Sequence, residues 1–414
     1  MSRNFRGEGS IYFDSSKGLW VWEKNKIYPN GQKLRKRLFA ETQSELKIKV
    51  DRFLVTIGES GLHDKDVTVS EWLDKWLMVF VKPSTKQRTF ENYRERISYV
   101  RKYIGDRQLR SIKTLQLQNI FNELAAFGGQ KRQGLAAESI NCLRRDLKTA
   151  FNVAIKNGII SFNPVDGTRR LKPKKNDKVA LDEKQVRKFL EVAKKGDYIY
   201  YGATYPKCIK RNAGTEYMIA NYYNLINLGF ATGMRIGELR GLQWDCVNFG
   251  KNMITVKQQI VNSADEGDII DTPKTTNSIR KITVDKAVMN ELKNFKKAQA
   301  AYAGMLGDKF HHEHNLVFTD TFGGILSYTN FRRRYFVKII AASGIPKNFT
   351  VHGMRHTHAT LLLKHGVNLK VVSERLGHSS VNVTINNYAH VLETMEMTAA
   401  AAWGDIMSGN SDEE

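Results

Sequence analysis

Apolar and polar positions alternate differently in three successive regions of the chain. In the first, apolar residues come in short aromatic and β-branched runs, Ser10-Ile11-Tyr12-Phe13 and Gly18-Leu19-Trp20-Val21-Trp22. The stretch Asp14-Ser15-Ser16-Lys17-Gly18 supplies a turn between them, and Pro29-Asn30-Gly31 a second turn before the basic run Lys33 to Phe39. Thr42 or Ser44 is placed to cap a helix running to about Ile57. Residues 1–60 therefore predict a three-stranded sheet with one helix. Its strands interleave basic and aromatic side chains, which suits one face laid into a DNA groove and one face forming the module's own core.

Gly58 to Asp66 reads as a connection. From Val69 to about Gly158 the apolar period becomes helical: Trp72, Trp76 and Leu77 share a face, and Tyr93, Ile97, Val100 and Ile104 repeat along another. Pro83, Gly105, Gly128 and Gly134 punctuate a bundle of about four helices over 66–162. Residues 163–178 hold Pro164 and Pro173 with Arg169, Arg170, Lys172, Lys174, Lys175 and Lys178, and read as an extended basic linker able to track a phosphate backbone. A third region, 179–395, opens on a helix capped by Asp182. It passes through strands at Met253 to Val256, Ile269-Ile270 and Arg280 to Val284, and returns to helices from Val288. The fold class is a multidomain chain: a small three-stranded β-sheet plus helix, an all-α domain, and a mixed, mainly α domain with a small antiparallel sheet. A tail, 396–414, closes it.

Charge narrows the partner. Lys and Arg number 65 against 42 Asp and Glu, a formal net charge of +23. Such a surplus favours a polyanion, either nucleic acid or an anionic membrane surface. The positive runs recur at 33–37, 94–101, 144–145, 169–178 and 332–334, whereas a membrane anchor concentrates its charge beside one apolar helix face. No apolar run approaches the ~18 residues of a membrane span, and Met1 to Ser10 lacks a secretory apolar segment, so a cytoplasmic, nucleoid-associated protein is expected. Cys142, Cys208 and Cys246 are far apart and lack CxxC spacing, which disfavours a disulfide framework and a thiolate zinc site.

The third region holds the candidate chemistry. In Ala231-Thr232-Gly233-Met234-Arg235-Ile236-Gly237-Glu238-Leu239, Arg235 follows a glycine turn and Glu238 lies one helical turn on, able to orient it. Thr272-Pro273-Lys274-Thr275 falls in a turn between two strands, with Lys257 and Lys281 as rival lysines nearby. His352-Gly353-Met354-Arg355-His356-Thr357-His358 puts His352 and Arg355 three apart on a helix. Leu376-Gly377-His378-Ser379-Ser380 and Thr384-Ile385-Asn386-Asn387-Tyr388-Ala389-His390 follow, and Tyr388 is the only tyrosine after Tyr335. A metal triad of His352, His356 and His358 is disfavoured, because no carboxylate or thiolate neighbours it and the arginines repel a cation. His311, His312 and His314, with Glu313, read as a solvated loop. No G-x-S-x-G elbow supports a serine hydrolase.

The order Arg, Lys, His-x-x-Arg, Gly-His, Tyr resembles the tyrosine recombinases, the lambda-integrase family. The carrying motifs are T-G-M-R-I-G-E-L, H-G-M-R-H-T-H-A-T, L-G-H-S-S and T-x-x-x-Y-A-H. More loosely, the whole chain resembles integrases of temperate phages and conjugative transposons. The resemblance implies an arm-type DNA-binding domain (1–60), a helical core-binding domain (66–162) and a catalytic domain (179–395). It implies Arg235 and Arg355 as phosphate-binding residues, His352 as proton acceptor, His378 as a hydrogen-bonding partner of the phosphate, Lys274 as general acid and Tyr388 as nucleophile, with Glu238 in support. The partner is double-stranded DNA at core and arm sites, bound by a homotetramer that passes through a Holliday junction, with room for an excision factor or a host DNA-bending protein. No metal, ATP or other cofactor is implied. Val391 to Trp403 is expected to dock either on a neighbouring protomer or on its own domain. The stretch 197–217 is longer than usual for the family, as a surface hairpin insertion would be. A type IB topoisomerase-like enzyme and a non-catalytic DNA-binding architectural protein are the alternatives.

Overall fold

The computed structural model describes residues 10–27, 33–50, 67–129, 134–173, 179–200, 211–263, 265–271, 279–378 and 380–385, with Tyr388, Trp403 and Met407. The chain divides into two compact units, 1–175 and 176–414.

In the first unit, β1 (Ser10–Asp14), β2 (Leu19–Ile27) and β3 (Lys33–Ala40) form an antiparallel sheet with β2 in the centre. Thr42 caps α1, which occupies 43–50, by accepting from the Glu45 amide at 3.2 Å. Trp22 and Ala40 are buried with Leu46 and Val50, while Ile11, Tyr12, Phe13 and Phe39 stay exposed, so aromatic residues lie both in the core and on the surface.

The helical region holds α2 (Val69–Trp76), running into a π-helical turn at Leu77–Val81, then α3 (Gln87–Ile104), α4 (Thr114–Phe127) and α5 (Ala137–Lys156). Thr68 and Glu71 close a capping box at the start of α2. Trp72 is buried and donates from Nε1 to the Ala150 carbonyl at 3.1 Å, which ties α2 to α5.

The expected basic linker begins later than its prolines and charges indicate. Arg144 on α5 donates to Thr168 Oγ1 and the Thr168 carbonyl, Asn141 exchanges hydrogen bonds with Leu171, and Val165 is buried in the bundle core. Residues 163–171 therefore belong to the helical unit. The local composition is that of a loop, but α5 supplies partners for its backbone, and sequence pattern cannot show those.

In the second unit, Asp182 and Gln185 form a capping box at the start of α6 (Glu183–Lys195). Next come α7 (Ala213–Thr232), which buries residues around its whole circumference, and the short α8 (Ile236–Arg240). Strands β4 (Val247–Asn248), β5 (Met253–Val256), β6 (Gln259–Ser263), β7 (Gly267–Asp271) and β8 (Arg280–Thr283) follow. They make two antiparallel sheets, β4-β5-β8 and the hairpin β6-β7, where one was expected. The polar positions of β6 hide it from a hydrophobicity reading. The helices α9 (Lys286–Leu306), α10 (Tyr328–Asn330), α11 (Val337–Ser343), α12 (Val351–Lys364) and α13 (Leu369–Leu376) complete the unit, with a π-helical turn at Phe331–Phe336 between α10 and α11. Phe189 sits edge-on to Phe230, Phe336 and Phe349, locking α6, α7 and the segments before α11 and α12 into one core.

Candidate active site

Two helix ends build the centre of the site. α7 stops at Gly233, whose φ of +65° is the left-handed conformation that glycine takes without a Cβ penalty. Its carbonyl accepts from Arg355 Nη1 at 2.9 Å. A Cβ at Gly233 would lie 2.7 Å from both His358 Cδ2 and Leu376 Cδ2. α13 stops the same way at Gly377, φ +68°, and its carbonyl accepts from Arg235 Nη2 at 3.3 Å. Each of the two candidate arginines is thus held by the carbonyl of one left-handed glycine.

The arginines differ in exposure. Arg235 is the N-cap of α8 with its side chain 41% exposed. Its backbone amide donates to Glu238 Oε2 at 2.8 Å and its Nη1 to Oε1 at 2.9 Å, so Glu238 orients it as its spacing predicts. Arg355 is 3% exposed, and its Nη2 meets no hydrogen-bond acceptor among the described residues. Burial, then the charge of Arg235, pulls its pKa below the usual arginine range. The two guanidiniums form a positive, forked surface suited to phosphate oxygens.

His378 follows Gly377 directly. Its Nδ1 lies 2.7 Å from Thr384 Oγ1, and Thr384 is fully buried. Burial, then Arg355 and Arg235, pulls its pKa down to about 4, so the ring is neutral at physiological pH. His352, on the first turn of α12, is exposed where Arg355 is buried, yet its charge also acts on His378. Tyr388 is 4% exposed and packs with Ala359, Leu363, Val372 and Leu376. Its ring stacks on His356 with centroids 4.8 Å apart and 19° between planes. Burial raises its pKa to about 12, against the opposing pull of Arg355. Arg235, His352, Arg355, His378, Tyr388 and Glu238 therefore share one electrostatic neighbourhood. Lys274 lies outside the described residues, as do His390, Cys208, the 201–210 part of the longer stretch, and Val391 to Ala402.

The sequence profile of the phage integrase family matches residues 180–395, and that of the phage integrase N-terminal SAM-like domain matches residues 68–125. The chain belongs to the phage integrase family. This integrase is 30% identical over 394 residues to a XerC-like tyrosine recombinase of Caldanaerobacter subterraneus, covering 91% of this chain and 93% of that protein. It is 26% identical over 325 residues to the ICEBs1 integrase of Bacillus subtilis, covering 76% and 78%. Among solved structures, the Tn1549 transposon integrase bound to transposon right-end DNA superposes with a TM-score of 0.63 at 25% identity, over 80% of this chain and all of that one. A lambda integrase dimer bound to a core site gives 0.51 at 18% identity, over 94% and 96%, a likeness of fold.

Sequence reasoning missed two supports of this integrase's site. In the sequence, His358 stands out only as a possible metal ligand. Its Nδ1 lies 2.7 Å from the Phe230 carbonyl, and its Nε2 accepts from Arg375 Nε at 3.1 Å, so the proton sits on Nδ1. The other support is Thr384, the first residue of the T-x-x-x-Y motif, which holds His378.

Burial, then Arg375, lowers the His358 pKa to about 4 from an ordinary 6.5. Between those values the unfolded chain binds a proton that the folded chain refuses, so stability falls as pH falls. At pH 5 the loss from this group is on the order of 2 kcal/mol. Glutamine can supply the same donor and acceptor without titrating. His358→Gln is expected to shrink the stability lost between pH 7 and pH 5, measured by denaturant melts. An equal loss in both proteins would contradict this assignment.

Proposed function

We propose that this tyrosine recombinase is the integrase of a mobile element, a phage or conjugative transposon, and that it cuts and rejoins double-stranded DNA through a 3′-phosphotyrosine. The observation that supports it most is the convergence of two arginines, a neutral histidine and a buried tyrosine in one site. A phosphodiester under attack gains charge on its non-bridging oxygens, and Arg235 and Arg355 offer forked donors for them. His378, fixed through Nδ1 by Thr384, has Nε2 left to address the phosphate. The Tyr388 oxygen forms a bond to phosphorus while its proton passes to His352, and the bond to the 5′ oxygen breaks as Lys274 protonates it. The phosphotyrosine conserves the bond energy, so a 5′ hydroxyl from a second strand reverses the step without ATP or a metal.

In this reading residues 1–60 hold arm sites, 66–162 and 179–395 hold the core site, and four protomers exchange strands through a Holliday junction. Its place of work is the nucleoid, in the cytoplasm. Purified protein is expected to recombine two plasmid-borne sites taken from the ends of its element, with products absent when one site is deleted. Robust relaxation of supercoiled plasmid independent of any site would assign a topoisomerase-like activity instead. Tight binding without strand cleavage would assign an architectural role.

A further inference from the structure

We propose that Arg280 is a positioning residue for Arg235, the counter-charge that leaves Arg235 available to phosphate. The inference rests on the recombinase reading above.

Glu238 is buried, and its two oxygens accept four hydrogen bonds. Two come from Arg235, as described. The other two come from Arg280, Nη1 to Oε1 at 3.0 Å and Nη2 to Oε2 at 2.7 Å. The Arg280 side chain is 10% exposed against 41% for Arg235, so Arg280 forms the closed side of the triad and Arg235 the open side. A carboxylate paired with Arg235 alone would hold that guanidinium to itself and cancel its charge. With Arg280 as second partner, the triad carries a net charge of +1, and the excess lies on the more exposed arginine. Glu238 stays ionised despite its burial, with Arg280 as the foremost opposing influence.

Arg280 also reaches the second hold on Arg235. Its Nε donates to the Arg375 carbonyl at 2.9 Å, and Arg375 Nη1 donates back to the Thr283 carbonyl at 2.9 Å. β8 and α13 are thereby clamped in both directions. The clamp ends at Gly377, where an added Cβ would stand 3.0 Å from Arg280 Nη1, and whose carbonyl accepts from Arg235. Both the acid and the turn that fix Arg235 therefore lean on one side chain, 45 positions away in sequence from Arg235.

The test is single-turnover cleavage of a nicked core-site duplex by wild type, R280M, R235K and the double variant, with DNA affinity and melting temperature measured alongside. R280M is expected to bind DNA as wild type does and to cleave ~100-fold more slowly. In the R235K background the same change is expected to alter the rate less than ~3-fold, because a residue acting through Arg235 has nothing left to position. A loss of ~100-fold in both backgrounds, or R280M cleavage within ~3-fold of wild type, overturns the proposal. If R280M fails to fold, R280K carries the test: it keeps the charge but not the fork, and slower cleavage at unchanged DNA affinity is expected. R280K cleaving as wild type does would overturn the proposal. Absence of any adduct with wild type would instead refute the recombinase reading, leaving the two failures distinct.

Discussion

Tyr388→Phe is expected to abolish strand cleavage, by at least ~10⁴-fold, and to leave the protein folded and able to bind DNA. The ring of Tyr388 is packed by Ala359, Leu363, Val372 and Leu376 and stacked on His356, and phenylalanine fills the same volume. The stability change is therefore expected within ~1.5 kcal/mol. What is lost is the oxygen proposed above to form the phosphotyrosine. Because burial holds its pKa at about 12, the phenol is protonated at neutral pH and must give up its proton during attack. Retained cleavage in the phenylalanine variant would place the nucleophile elsewhere.

Arg355→Met is expected to separate activity from stability. Arg355 lies in the interior with Arg235 and Arg280 repelling it, and its Nη2 meets no acceptor among the described residues. A buried charge so placed is costly to hold, and an apolar side chain of similar length removes that cost. The melting temperature should stay level or rise. Cleavage should fall ~10³-fold or more, because charge developing on the non-bridging oxygens loses its desolvated partner. A variant that melts early, or one that cleaves within ~10-fold of wild type, would contradict this account of Arg355.

Much of this site is legible along the chain because the order of its motifs resembles that of the tyrosine recombinases. Arg235 and Glu238 sit one turn apart, and their ion pair follows from helical spacing. Gly233 reads as a turn in the sequence, and its carbonyl holds Arg355; that Gly377 likewise ends a helix and holds Arg235 comes from the structure. The rest depends on contacts that no local pattern encodes. Arg280 looks like one more basic residue on a strand, yet 42 positions separate it from the carboxylate it shares with Arg235. His358 suggests a metal only when its neighbours in sequence are considered; its partners, Phe230 and Arg375, come from other helices. Residues 163–171 have the composition of a linker and are claimed by α5. The polar face of β6 conceals a strand, and so the second unit carries two small sheets.

The central claim is that Tyr388 becomes covalently bound to a 3′ phosphate. The most direct measurement offers wild-type protein a nicked duplex from the element's end, so that the short cleaved fragment diffuses away and traps the intermediate. Denaturation, proteolysis and mass spectrometry then locate the nucleotide. The account predicts a single adduct on the peptide containing Tyr388, linked through a 3′ phosphate and leaving a free 5′ hydroxyl. An adduct on another residue, or a 5′ linkage, would contradict it.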